Sequence, residues 1–175
     1  GIIKRRILLN YRVDPEVIQQ ILPHPFRAKL HQGYAIAGIC LIRLEEVRPH
    51  FMPQIIGINS ENSAHRVAVE WDTDEGVQEG VFVPRRDTDS LLNSLAGGRI
   101  FPGVHHHSRF EINDFKGEIQ IKVIEKGSAT PLVNLSVTEA DTFPDDSVFN
   151  TIEESSRFFE NGCIGYSARP DSPQL

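Results

Sequence analysis

The sequence predicts an α+β domain, mainly antiparallel β, in which one sheet curls or closes into a barrel carrying about three short helices. Three observations carry that expectation. Apolar and polar residues alternate with a period of two over 67–71, 118–124 and 132–137. Clusters of Gly, Asp, Asn and Pro separate these stretches at hairpin spacing. Helix signals are confined to three short segments, 14–22, 90–96 and 148–160.

Taken in order, residues 2–13 set aliphatic side chains among Lys4, Arg5, Arg6 and Arg12, as in a strand with one wetter face. Asp14 is a good N-cap, Pro15 suits the first helical position and Glu16 favours the positive helix end, so 14–22 reads as a short helix. Pro23 and Pro25 end it. A turn at Gln32-Gly33 leads into the apolar run 34–44, which predicts a strand covered on both faces. Pro49 and Pro53 then interrupt regular structure. In the next strand Val67, Val69 and Trp71 share one face, and Arg66, Ala68 and Glu70 the other. Asp72, Thr73, Asp74 and Gly76 reverse the chain into a partner strand at 78–84. Asp87 or Thr88 is expected to cap a second helix that Gly97-Gly98 terminates. After Pro102-Gly103 comes a strand carrying three histidines, followed by antiparallel hairpin strands at 110–112, 118–124 and 132–137. An acidic loop at 139–146 precedes the third helix, which Asn161-Gly162 stops, and 163–166 forms a last short strand.

A chain of 175 residues suits one domain, 1–175, around a single core. Lys and Arg number 18 against 24 Asp and Glu, a net charge of −6 that argues against a general nucleic-acid binder. Hydrophobic residues are 39% of the chain, and no run approaches the roughly 18 apolar residues of a membrane span. Cys40 and Cys163 form no CxxC or zinc pattern, and the N-terminal stretch does not read as a signal peptide. A reduced, cytoplasmic protein without membrane or nucleic-acid partners is therefore expected, with a homo-oligomer left open.

The densest chemistry is at His105, His106 and His107. Imidazoles with an ordinary pKa of about 6.5 can pass a proton, ligate a metal or hold an anion. Alternation points His105 and His107 one way, about 7 Å apart, and His106 the other, without fixing which face turns to a cavity. The spacing His105-x-His107-x-x-x-Glu111 is similar to the first metal motif of the cupin barrels, but no later histidine supplies the second half. A metal-dependent enzyme using His105, His107 and Glu111 stays an alternative, and no cofactor is assigned.

Arg66 and Glu70 lie on one strand face, either as a surface ion pair or, if that face lines a cavity, with Arg66 as a bidentate anchor for a carboxylate. Glu61 and His65 lie just upstream as further ligand-binding candidates. Arg85 and Arg86 stand between a strand end and the expected helix start, where they could bind an anion with the helix amides. GxSxG, Walker A, GxGxxG and HExxH patterns are absent, which argues against the corresponding hydrolase, nucleotide and zinc-peptidase classes.

In order along the chain, Leu22-Pro-His-Pro-Phe26, Glu61-Asn62 with His65-Arg66, Gly80-Val-Phe-Val83, Gly98-Arg-Ile-Phe-Pro102 and Phe159-Glu-Asn-Gly-Cys-Ile-Gly-Tyr-Ser167 resemble the acetoacetate decarboxylase-like superfamily, in its uncharacterised bacterial branch. The resemblance implies a cone-like antiparallel barrel with a central cavity. Decarboxylases of this superfamily carry a Schiff-base lysine just after a Phe-Pro pair. Here Phe101-Pro102 is followed by Gly103-Val104 and the histidines, and no lysine occurs between Lys29 and Lys116. Schiff-base decarboxylation is thus not expected.

Together these features predict a barrel that binds a small carboxylate or carbonyl compound. Arg66 is the expected anchor, with Glu61, His65, Glu70 and Arg85 as further ligand-binding residues. His105, His106 and His107 are the candidate acid/base groups if the ligand is turned over. The alternative is a non-catalytic binding or interaction domain in which the histidines are structural.

Overall fold

Asp14 both ends the first strand and begins the first helix. The computed structural model describes residues 1–48, 57–90, 105–160 and 164–167. Strand β1 is Ile2–Val13 and helix α1 is Pro15–Gln19. The Asp14 carboxylate accepts from the N–H of Glu16 at 2.8 Å, the N-cap bond its position predicts. One further bond, Ile21 N–H to the Ile18 carbonyl at 3.1 Å, continues the turn beyond the helix. Short strands β2 (Arg27–Ala28) and β3 (Leu30–His31) follow. Gln32 and Gly33 turn the chain at φ of 48° and 83° into β4, Tyr34–Val47. The long strands β5 (Ile58–Thr73) and β6 (Gly76–Thr88) form the expected hairpin. After them come β7 (His105–Phe115), β8 (Glu118–Glu125), β9 (Val133–Thr138), helix α2 (Ile152–Glu160) and β10 (Gly165–Tyr166).

The sheet runs β1-β4-β5-β6-β7-β8-β9, with β2 on β5, β3 on β4 and β10 on β6. Pairing along this path is antiparallel except between β6 and β7, which run parallel over Arg86–His105, Asp87–His106 and Thr88–His107. A parallel pair needs a crossover rather than a tight turn, and residues 89–104 are long enough to make one.

The sheet curls because one of its faces packs on itself. Leu41 and Ile39 of β4 and Ile7 of β1 cluster with Ile121, Val123, Val133, Phe110 and Ile112 from β7 to β9. Strands four places apart in the sheet can share a core only if this face is the inside of the curve. A second inner cluster closes one end, where Ile18 and Leu22 pack with Phe26, Val67, Val69 and Phe82, and Trp71 and Tyr166 lie against them. On the outer face Ile36 and Ala68 receive Phe149 and Phe158, which dock α2. The expected strand with both faces covered is therefore found in β4: Ala35 and Leu41 turn inward, Ile36 and Cys40 outward, and all four are buried. The described strands make a curled half-barrel with few helices. Among the described residues no helix is long and apolar enough to cross a membrane.

The capping role expected of Asp87 or Thr88 is corrected for Asp87, while Thr88 keeps a cap-type bond at the strand's end. Both lie inside β6, 1% and 0% exposed, because its ladder with β5 runs on to the Asn62–Thr88 pair. The Asp87 carboxylate bonds Ser63 and Ser108 across strands, while Thr88 Oγ1 accepts from the Ser90 N–H at 3.2 Å, the bond a cap would make. The remainder of that expected helix, 91–96 with Gly97 and Gly98, lies outside the described residues, as do Pro102, Gly103 and Cys163. The final expected strand is seen as Gly165–Tyr166, and the third expected helix starts later than predicted, at Ile152.

Candidate functional site

Alternation and register together shape a cavity on the outer face of the curve. Leu8, Cys40, Ala64 and Arg86 are successive partners across β1, β4, β5 and β6, while Arg6 pairs with Ile42 and Arg66 with Gly38. Gly38, Cys40 and Ala64 thus provide a floor of small side chains with arginines around it. Only glycine fits at 38, since a Cβ there would stand 2.0 Å from the Leu9 carbonyl oxygen. Helix α2 forms the facing wall with Ile152 and Phe159. The space between measures about 1040 Å³, at the upper end of the range typical of small-molecule sites. A smaller recess of about 110 Å³ adjoins it beside Cys40, Ala64, Arg86 and His105.

Arg66 is the central group. Its residue is only 9% exposed, its Nη2 donates to Asn10 Oδ1, and its guanidinium carbon lies 4.8 Å from the centre of the Phe159 ring. No carboxylate of the described residues stands within ion-pair distance of it. Burial pulls its pKa down, the neighbouring Cys40 offsets part of this, and the positive charge of Arg6 adds to the fall. Burial lowers Arg86 in the same way. Both guanidiniums remain protonated, because arginine does not lose its proton in proteins.

The other predicted residues divide between the two faces. Glu61 and His65 differ from Arg66 by an odd number of positions on β5 and turn inward. Glu61 is 7% exposed and accepts from Arg5 at 2.7 Å and Arg43 at 3.0 Å. Burial raises its carboxyl above the ordinary value, with Arg43 and Arg5 pulling it back. His65 Nε2 lies 3.8 Å from Asp87 Oδ2. Arg85 also turns inward, donating to Asp87 at 2.8 Å and Glu125 at 2.9 Å, and the Asp87 bond raises its pKa. The expected joint anion site of Arg85 and Arg86 is therefore not formed, since adjacent strand residues face opposite sides. Glu70 bonds Arg27 at 2.8 Å and does not line the cavity with Arg66.

The histidines are likewise split. His105 and His107 pair with Arg86 and Thr88, whereas His106 pairs with Asp87 and places its Nδ1 3.7 Å from Glu125 Oε1. Only His105 borders the outer recess, and His107 Nδ1 is buried with no hydrogen-bond partner among the described residues. The three do not converge on one point. Nor do His105, His107 and Glu111 form a metal centre: Glu111 lies four strand residues, about 13 Å, beyond His107. It pairs with Arg109 at 3.1 Å, and no group of metal-ligating residues occurs among those described. Arg6, Cys40 and Phe159 complete the cavity and Asn10 accepts from Arg66 beside it, four residues not among those the sequence predicts for the site. The even spacing of Arg6, Leu8 and Asn10 along β1 is the signal that places the first and last of these on one face.

The lowered pKa of His65, caused mainly by burial and opposed by Asp87, has a measurable consequence. The unfolded chain takes up a proton near the ordinary value of 6.5, while the folded chain resists it. Stability is fully present above that pH and falls as the pH drops from about 6.5 toward the lower folded value. Urea unfolding between pH 5 and 7.5 should show this slope, and His65→Gln should flatten it; an unchanged slope in the variant would refute the assignment.

The fold is an acetoacetate decarboxylase-like half-barrel. The acetoacetate decarboxylase of Legionella pneumophila has a similar structure, with a TM-score of 0.54 and 16% identity. The match covers 80% of this chain and 49% of that enzyme, so the chain spans about half the enzyme's length and shares its fold. The chain itself belongs to the DUF2071 family of uncharacterized conserved proteins, whose family model matches residues 3–166. No curated protein matches it.

Proposed function

We propose that this protein binds a small anionic molecule, a carboxylate or carbonyl compound, in the outer cavity with Arg66 as its anchor. The observation that carries this reading is a buried guanidinium with one amide acceptor, one aromatic ring and no carboxylate among the described residues, set in the wall of an open cavity. Burying a cation costs free energy unless an anion accompanies it, and a ligand carboxylate would supply the missing charge in bidentate geometry. His105, at the adjoining recess, is the histidine placed to donate to such a ligand or exchange a proton with it.

Any chemistry here would proceed without a Schiff base. The Lys29 ammonium bonds Glu79 at 2.6 Å and the Phe158 carbonyl at 2.8 Å, and it lines neither of the two cavities of the outer face. Lys116 stands at the β7–β8 turn.

Thermal-shift and calorimetric titration with small keto acids and carboxylates tests the reading. Wild type should be stabilised, and Arg66→Gln should weaken binding by about 10- to 100-fold, the loss of a charge-assisted bidentate contact. No stabilisation of wild type, or equal stabilisation of the variant, would overturn it.

A further inference from the structure

The cavity holds more positive charge than one carboxylate can neutralise. Four arginines line it, Arg6, Arg66, Arg86 and Arg157, against Glu153 and Glu160 at the helix rim. Arg6 makes no hydrogen bond or ion pair among the described residues, and its charge reaches Arg66 across the floor. Like charges gathered at one site repel unless an anion lies between them.

The positions of the arginines also set a distance. Arg66 lies beside Gly38 and Arg6 beside Ile42, four residues apart along β4, or about 13 Å of strand. Arg66 reaches across Gly38 to Asn10 on β1, four residues from Arg6 on the same strand, and the charge of Arg6 acts on it, so the two cations bracket a ligand-sized span. Between the two ends the floor over β1, β4 and β5 is apolar, with Leu8, Cys40, Ile42 and Ala64 beneath and Ile152 opposite, and Arg86 stands to one side of it on β6. A ligand filling this space carries charge at each end and hydrocarbon in the middle.

We propose that the preferred ligand is an organic dianion with its two anionic groups at opposite ends of an apolar spacer, one held by Arg66 and the other by Arg6. This rests on the anion-binding reading above and specifies the chemical class. A compact dianion such as inorganic phosphate cannot reach both ends, and a monocarboxylate leaves one cation unsatisfied.

Isothermal titration of the full chain with straight-chain α,ω-dicarboxylates of five to eight carbons, the monocarboxylates of equal length and inorganic phosphate tests it. Wild type should bind the best dicarboxylate about five- to tenfold tighter than its matched monocarboxylate. Arg6→Gln, an exposed substitution whose folding circular dichroism would verify, should erase that preference, bringing dicarboxylate affinity down to that of the matched monocarboxylate. Equal affinity for matched mono- and dicarboxylates, or phosphate binding as tight as the dicarboxylates, would overturn the dianion assignment and leave anion binding at Arg66 standing. So would an unchanged preference in Arg6→Gln. No binding of any of these anions would overturn both.

Discussion

Asp87→Ala is expected to lower the unfolding free energy by about 3–5 kcal/mol, the usual cost of removing one partner from a buried ion pair. The Asp87 carboxylate is fully buried and accepts from Arg85 at 2.8 Å, Ser108 Oγ at 2.9 Å and Ser63 Oγ at 3.3 Å. These donors come from β5, β6 and β7, so one side chain ties together the three central strands, including the parallel join. Removing it leaves two buried hydroxyls unsatisfied and Arg85 with Glu125 alone. Arg85 is 25% exposed at its side chain, so water recovers part of the loss and the lower half of the range is expected. Asp87→Asn keeps the volume and an acceptor but not the charge, and should fall between wild type and Ala. A shift in the urea midpoint at constant slope measures the effect; a loss below about 1 kcal/mol would show that Arg85 and the serines hold the strands together without this carboxylate.

Asp87 also shows where sequence reasoning stops. Local signals read correctly where the local environment decides: Asp14-Pro15 starts α1, Gln32-Gly33 turns the chain, and the alternation of Val67, Val69 and Trp71 assigns one face of β5. At Asp87 the same residue type suggests a cap, yet it sits inside a strand because β5 extends far enough to pair with it. That length is a property of the hairpin as a whole. The parallel β6–β7 pair is likewise a long-range pairing that no local pattern announces.

For the candidate site, the polar residues of the central strands are legible in the sequence and the faces they share are not. Glu61, His65, Arg66, Arg85 and the three histidines all lie in the central strands, as the density of polar groups suggests. A period of two sends Glu61, His65 and Arg85 to the inner face, where they bond Arg5, Arg43 and Asp87 or stand close to it, and leaves Arg66 with Arg86 outside. What the sequence could not supply is the second layer. Arg66 faces a cavity only because α2, more than eighty residues later, packs across the outer face, and Arg6 joins it only because β1 pairs with β4 in one register.

That dependence on α2 makes Phe158→Ala the sharpest link between stability and binding. The Phe158 ring is 8% exposed, packs on Phe149 at 5.5 Å and Phe159 at 5.0 Å, and lies 4.4 Å from the Lys29 ammonium. His31 stacks on Phe149 at 4.6 Å and meets Glu154 of α2 at 3.1 Å, which adds a polar clasp to the same dock. Truncation should cost about 3–5 kcal/mol, the range for a buried phenylalanine. Phe158 does not line the cavity, whereas Phe159, next to it, covers the Arg66 guanidinium. Loosening the helix should therefore weaken anion binding as well, at a temperature where the variant is still folded. Phe158→Leu, which keeps most of the buried volume, should retain more of both properties. If Phe158→Ala loses stability but binds anions as wild type does, α2 is a covering element and the floor of the sheet alone forms the site.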